Sequence, residues 1–252
     1  MDVCRPFFSA WRTRKNPTMP VFQLTHDSVF PPVHWASKIG LLAVGGDLST
    51  RRLLEAYRQG IFPWYSEAEP ILWWAPDPRF VLFPEELKVT RSMHQFLKKD
   101  MIRITYDRNF PAVIAACQKP RPQQEATWIT PDMQAAYVRL HGLGFAHSVE
   151  AWQEDVLVGG LYGVSLGRCF FGESMFSAVS NASKAALIDL VRRLRALDFS
   201  LIDCQVYTAH LGSLGGRHVP RSEFMGLLKR ALQKKTLRGN WGVHEAFQDV
   251  PE

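Results

Sequence analysis

The segment from His147 to Val206 is the most tightly patterned part of the chain, and it limits the folds open to the whole. His147 to Trp152 alternates polar and apolar side chains, the pattern of a strand with one buried face. Glu154-Asp155 makes a turn, and Val156 to Val164 reads as the return strand. Ser165-Leu166-Gly167-Arg168 is a second turn and leads into Cys169 to Phe176, so an antiparallel meander is predicted. Ser180 or Asn181 then caps a helix with Leu187, Ile188, Val191, Leu194 and Leu197 inward. Arg192, Arg193 and Arg195 point mostly outward. Leu201-Ile202-Asp203-Cys204-Gln205-Val206 follows as a buried strand. Strand side chains alternate faces, so Asp203 and Gln205 are expected on one side and Ile202, Cys204 and Val206 on the other. A carboxylate and an amide in such an apolar strand are costly unless both are hydrogen-bonded. They are either a polar pair at the strand's wet end or part of a chemical site.

The chain before this segment is patterned differently. Gly45-Gly46-Asp47-Leu48-Ser49 is a turn, with Ser49 as the cap of a helix through Leu53, Leu54, Tyr57 and Arg58, and Gly60 as its stop. Trp64, Trp73 and Trp74 then fall within eleven positions, on proline-rich loops. They make either a small aromatic core or a stacking platform for a base. Arg91, Lys98 and Lys99 lie on a short helix that contains Met93, Phe96 and Leu97, and Ile102 to Tyr106 alternates as a strand. Asn109 or Asp107 caps a helix through Val113, Ile114 and Cys117. Thr130 caps another, with Pro131 at its first position and Met133, Tyr137 and Leu140 on one face. A last amphipathic helix starts near Ser222, with Phe224, Leu227, Leu228 and Ala231 inward.

Composition narrows the class of function. With 252 residues the chain can build one large or two small domains with a real core. No apolar run approaches the roughly 18 residues that span a bilayer. The four cysteines are far apart, so neither a disulfide framework nor a zinc ribbon is suggested. Of the histidines, His141 with His147, or His210 with His218, could in principle bind a metal, and no metal is expected. These features fit a reducing cytoplasm. A net charge of +6 is compatible with a polyanionic partner such as nucleic acid. Residues 1–19 carry Arg5, Arg12, Arg14 and Lys15 around a very short apolar piece, too short for a signal peptide. They are expected to be a mobile extension, dispensable for activity.

Meander, helix and parallel-type strand are the elements of an acyltransferase α+β domain of the GNAT kind. The expected layout is a small N-terminal domain over 20–80 and a GNAT-like catalytic domain with a mixed sheet over 81–252. Several longer motifs go further. Gly40 to Ser49, Gly60-Ile61-Phe62-Pro63-Trp64-Tyr65 and Trp73-Trp74-Ala75-Pro76-Asp77-Pro78-Arg79 come first. Thr127-Trp128-Ile129-Thr130, Gly172-Glu173-Ser174-Met175-Phe176-Ser177, Asn181-Ala182-Ser183-Lys184 and Leu201-Ile202-Asp203-Cys204-Gln205 follow in order. Together they resemble the leucyl/phenylalanyl-tRNA–protein transferases from about Val21 to about Arg238. Tyr207-Thr208-Ala209 departs from the family pattern, as does Leu161, where Met is common.

The resemblance implies a bacterial cytoplasmic enzyme that moves Leu or Phe, with Met a further candidate, from tRNA to the N-terminal amine of proteins that begin with Arg or Lys. Such proteins are thereby marked for N-end rule degradation. It implies Asp203, Gln205 and Glu173 as catalytic residues, with Gln205 acting on the amine and Asp203 supporting it. Because an amide is a very poor base, Gln205 is expected to aim the amine, with Asp203 orienting it and taking the proton through water. Glu173 would face the cationic acceptor. It also implies Trp64, Trp128 and Tyr137 around the 3′-terminal adenosine, and Leu161, Phe170, Met175 and Ile202 around the amino-acid side chain. Arg91, Lys98 and Lys99 would meet tRNA phosphates. The donor is an activated ester, so no cofactor is needed, and a monomer is expected. Two other classes fit the sequence less well. A coenzyme A-dependent acetyltransferase needs a glycine-rich loop at a helix start, which Ser180-Asn181-Ala182-Ser183-Lys184 does not provide. A non-catalytic RNA-binding module leaves Glu173, Asp203 and Gln205 unexplained.

Overall fold

The computed structural model describes residues 21–119 and 128–248. The extension read over 1–19 lies outside the described residues. A small sheet comes first, from β1 (Phe22–Leu24), β2 (Leu41–Gly45), β3 (Phe62–Pro63) and β4 (Leu72–Trp74). Its order is β1-β2-β4-β3, with β1 parallel to β2 and the other pairs antiparallel. Between β2 and β3 lies α1 (Thr50–Arg58), which starts where Ser49 Oγ accepts the Arg52 amide. Gly60 ends it with φ +68°, and a Cβ there would stand 2.7 Å from the Phe224 ring. Arg52 fastens the preceding loops, donating to the carbonyls of Thr25, His26 and Ser28 and to Asp47.

The second sheet begins with β5 (Arg79–Leu82) and takes in β6 (Arg103–Tyr106), β7 (Ala146–Gln153), β8 (Val156–Leu166), β9 (Cys169–Ser177), β10 (Leu201–Gln205) and β11 (Arg217–Val219). The strand order is β11-β5-β10-β9-β8-β7-β6. Only β9 and β10 run parallel, so the sheet is mixed. The predicted meander is β7-β8-β9, and its turns fall at Glu154-Asp155 and Gly167-Arg168.

Eight α-helices complete the described residues. After α1 come α2 (Arg91–Leu97), α3 (Phe110–Gln118), α4 (Pro131–Gly142) and α5 (Ala182–Ala196). They are followed by α6 (Ala209–Ser213), α7 (Arg221–Leu232) and α8 (Glu245–Gln248). The side chains of Asn109 and Thr130 cap α3 and α4. At α5 the expectation needs correcting. Asn181 holds the cap position in the left-handed region, at φ 69°, and its side chain does not cap. Ser177 Oγ, arriving from the end of β9, takes the Ser183 amide instead.

Alternation along the strands splits the apolar residues between two cores. Leu161, Phe170, Ile202 and Cys204 pack with Leu187, Ile188, Val191 and Leu194 of α5. Burying each of these large aliphatic side chains contributes about 1.5–3 kcal/mol. Tyr162, Phe171 and Leu201 pack on the other side, with Phe110 of α3, Tyr137 of α4 and the small sheet's Trp73. The two sheets therefore share one core. Asp107 pins the C-terminal segment to it, its Oδ2 accepting from His147 Nδ1 at 2.8 Å and from the Trp241 amide at 2.7 Å. The His147 ring stacks on Trp241, and burial holds its pKa below the usual imidazole range.

Candidate active site

β9 and β10 pair over only three residues, Cys169 to Phe171 against Leu201 to Asp203. Both continue past that point, β9 to Ser177 and β10 to Gln205. Glu173 and Gln205 stand where the strands have stopped pairing. Gln205 Nε2 donates to Glu173 Oε1 at 2.9 Å.

The regular alternation expected from Leu201 to Val206 does not carry through Gln205. The β5–β10 register shifts between Asp203 and Gln205, and Gln205 has φ +65°. The cause is local: Asp203 Oδ1 accepts the Gln205 amide at 2.9 Å and bends the chain. A non-glycine residue in this region is strained and is held there only by its surroundings.

Asp203 is fully buried. Arg79 donates from Nε to its Oδ1 at 2.8 Å and from Nη2 to its Oδ2 at 2.7 Å. The guanidinium is itself buried, 4.7 Å from the ring centroids of Phe62 and Phe224. Planar, bidentate pairing with aromatic stacking is what a guanidinium does and an ammonium cannot. This geometry gives Asp203 two buried partners, Arg79 and the Gln205 backbone. Both oxygens accept from the cation that makes the buried carboxylate tolerable.

Glu173 is half-buried and has more donors than its sequence suggested. Tyr57 OH donates to Oε1 at 2.8 Å and Tyr137 OH to Oε2 at 2.9 Å. The two phenol oxygens also touch each other. Burial raises the Glu173 pKa to about 7, and the bonds from Tyr57, Tyr137 and Gln205 hold it from going higher. Tyr137 is as enclosed as Asp203. Its ring is fully buried, edge-on to Tyr162, so it offers no face to a base. Its hydroxyl makes the contact with Glu173.

The other expected residues divide as follows. Leu161 pairs across the meander with Met175, and Ile202 pairs with Phe170, so these four form one apolar group on the α5 side. Met175 is half-buried and the rest are buried. Trp64 and Trp128 are half-buried at the edge of the opposite core. Trp73 and Trp74 are buried, each indole N–H held by a backbone carbonyl, so for them the aromatic-core reading applies. Arg91, Lys98 and Lys99 are exposed. A cavity of about 510 Å³ lined by His141, Gly144, Arg238 and Asn240 contains none of the expected catalytic, pocket or tRNA-contact residues. No group of three or more His, Cys, Asp or Glu is placed to hold a metal among the described residues.

Residues 81–229 match the family described as leucyl/phenylalanyl-tRNA protein transferase, and residues 46–77 match its N-terminal domain. The chain belongs to the leucyl/phenylalanyl-tRNA protein transferase family. It is 63% identical to the leucyl/phenylalanyl-tRNA–protein transferase of Syntrophus aciditrophicus (strain SB), over 92% of this chain and 97% of that one. The protein of the same name from Nitrosospira multiformis is 58% identical, over 86% of this chain and 95% of its own. That of Pseudomonas fluorescens is 57% identical, over 81% and 91%. The family expected from the sequence motifs is therefore the family found, and the chain is an enzyme. The sequence did not single out Arg79 or Tyr57 for the site. Arg79 closes a quoted motif and Tyr57 sits on an apolar helix face, and neither signals a partner more than a hundred residues away.

Proposed function

We propose that this chain transfers Leu or Phe from aminoacyl-tRNA to the N-terminal amine of proteins that begin with Arg or Lys. The relatives are named for transfer from leucyl- and phenylalanyl-tRNA to protein. The observation that carries the reading is the Gln205–Glu173 pair at the gap between β9 and β10. The apolar group of Leu161, Phe170, Met175 and Ile202 belongs to the α5 side of the sheet and the polar groups to the other. A substrate with an apolar side chain and a reactive carbonyl meets both at that gap.

The chemistry is modest. The donor is an ester and the nucleophile an amine whose pKa of roughly 8 leaves a neutral fraction near pH 7. Orientation of the two is the main task. Gln205 aims the amine through its amide oxygen while its Nε2 rests on Glu173. Arg79 and Asp203 act behind it, holding the backbone of Gln205. Glu173 favours a cationic acceptor terminus. Cys204, between the two polar residues, faces the α5 core, and burial pushes its thiol far up. Direct attack by the amine is thus favoured over an acyl-cysteine. One methylene in an apolar pocket is worth only about 1–3 kcal/mol, which suits Leu and Phe as shared substrates. Trp64 and Trp128 offer stacking to the terminal adenosine. The expected setting is a bacterial cytoplasm, and the outcome is N-end rule degradation.

The test is radiolabelled Leu supplied as Leu-tRNA, with one acceptor protein beginning with Arg and one beginning with Met. Label is expected on the first. Transfer from acetyl-coenzyme A, or tRNA binding without transfer, would remove the reading.

The basic residues give a second prediction. Arg91 and Lys98 are seven positions apart on and just past α2, roughly 10 Å along its axis and on one side. Replacing Arg91, Lys98 and Lys99 with Ala should flatten the salt dependence of tRNA binding by a slope of up to about 1 per lost phosphate contact. The choice between Leu and Phe should not change. An unaltered slope in the triple variant would put the phosphate contacts elsewhere.

A further inference from the structure

We propose that Glu173, not Asp203, takes the proton of the attacking amine, and that Tyr57 and Tyr137 are positioning residues that give this proton its place. The proposal rests on the transfer reading above. Three groups form a closed triangle: the Glu173 carboxyl, the Tyr57 hydroxyl and the Tyr137 hydroxyl, each in hydrogen-bond contact with the other two. With Glu173 ionised, two phenolic protons serve three links, and one link sets lone pair against lone pair. A proton on Glu173 supplies the missing one. The carboxyl then donates from Oε2 to Tyr137, Tyr137 to Tyr57, and Tyr57 to Oε1, which still accepts from Gln205. No existing partner is lost. Asp203 lies fully buried, with Arg79 on both oxygens and the Gln205 amide on one.

The step balances. The amine nitrogen attacks the ester carbonyl carbon, the C–N bond forms, and the bond from that carbon to the terminal ribose oxygen breaks. The amine proton passes to Glu173, directly or through one water. It then goes to the departing ribose oxygen, and Glu173 ends ionised as it began. The groups facing Glu173 are Tyr57 from α1, Tyr137 from α4, Tyr162 from β8, and Asp203 and Gln205 from β10. Arg79 sits on the far side of Asp203. Burial first, then the Glu173 charge, keeps the phenols of Tyr57 and Tyr137 protonated, so they remain donors. A Glu173 pKa of about 7 leaves the base ionised in part of the population at neutral pH. The folded state holds this proton more tightly than the unfolded chain does. Glu173 therefore contributes stability that is present at low pH and lost as pH rises through about 7.

The experiment is single-turnover transfer from Leu-tRNA to a peptide beginning with Arg, followed across neutral pH, with melting curves for every variant. Wild-type transfer should rise through two limbs, one near 7 from Glu173 and one near roughly 8 from the peptide amine. A peptide with a less basic amine should move only the second limb. Glu173→Gln can still donate to Tyr137 and accept from Tyr57 and Gln205, so it should fold and melt at or above wild type in alkaline buffer. It should lose about 10²–10⁴-fold in rate and lack the first limb. Replacing both Tyr57 and Tyr137 by Phe removes two charge-assisted bonds to the ionised form, which are about twice as strong as neutral ones. The first limb should then move to higher pH. Transfer by folded Glu173→Gln within a few-fold of wild type, or a first limb that survives in it, would overturn the proposal. Absence of transfer by the wild type would instead refute the transferase reading beneath it.

Discussion

Arg79→Ala is expected to destabilise the protein by about 3–5 kcal/mol, the loss typical when one partner of a buried ion pair is removed. Arg79 and Asp203 are 1% and 0% exposed, so water cannot take over the abandoned carboxylate. For a chain of this size that loss corresponds to a fall in melting temperature of roughly 6–20 °C. Arg79→Lys should recover little, because an ammonium has neither the two-pronged contact with Asp203 nor the flat face that lies between Phe62 and Phe224. Arg79→Met combined with Asp203→Leu should recover most of the stability, since an apolar replacement of a buried pair is often neutral or better. It should not recover transfer, because the Gln205 amide then has no carboxylate to hold it. Thermal melts and single-turnover rates on the three variants separate the two effects. Melting of Arg79→Ala within about 1 kcal/mol of wild type would mean that the pair contributes little.

This pair also marks where sequence reasoning stops. Local rules found α4 because Thr130 and Pro131 are chemically suited to a helix start, and they found the meander because period-two alternation survives in β7, β8 and β9. The ion pair of Arg79 and Asp203 joins residues 124 apart, and nothing in either neighbourhood names the other. The left-handed turn at Gln205 was hidden for a related reason. Glutamine has no preference for that region, and only the Asp203 side chain beneath it makes the bend. Tyr137 shows a third kind of limit. Spacing placed it on the inner face of α4, and it is there. Spacing does not say whether ring or hydroxyl makes the contact that matters. The motif resemblance supplied the family, whereas the partners of the two carboxylates needed the coordinates.

Gln205 offers the sharpest test of the site itself, provided its backbone is respected. At φ +65° an alanine bears the same Cβ strain as the glutamine but also empties the space beside Glu173, so loss of activity in Gln205→Ala would mix two causes. Asparagine is enriched several-fold in this region, keeps the amide and is one methylene shorter. Gln205→Asn should therefore fold and melt as wild type does. Its side chain falls short of Glu173, so the 2.9 Å bond is lost and the amide no longer lies against the incoming amine. A displacement of about 1 Å at a reacting centre costs on the order of 10²-fold, and a full methylene exceeds that distance. Transfer should drop by at least that factor at saturating acceptor. Binding of Leu-tRNA should be unchanged, because the apolar group under α5 and the tryptophans at the edge of the other core are intact. Near-normal transfer by Gln205→Asn would mean that the amide merely fills the gap between β9 and β10. The strain held at Gln205 would then have no chemical purpose. A loss of rate with tRNA affinity preserved would tie that strain to the aiming of the amine.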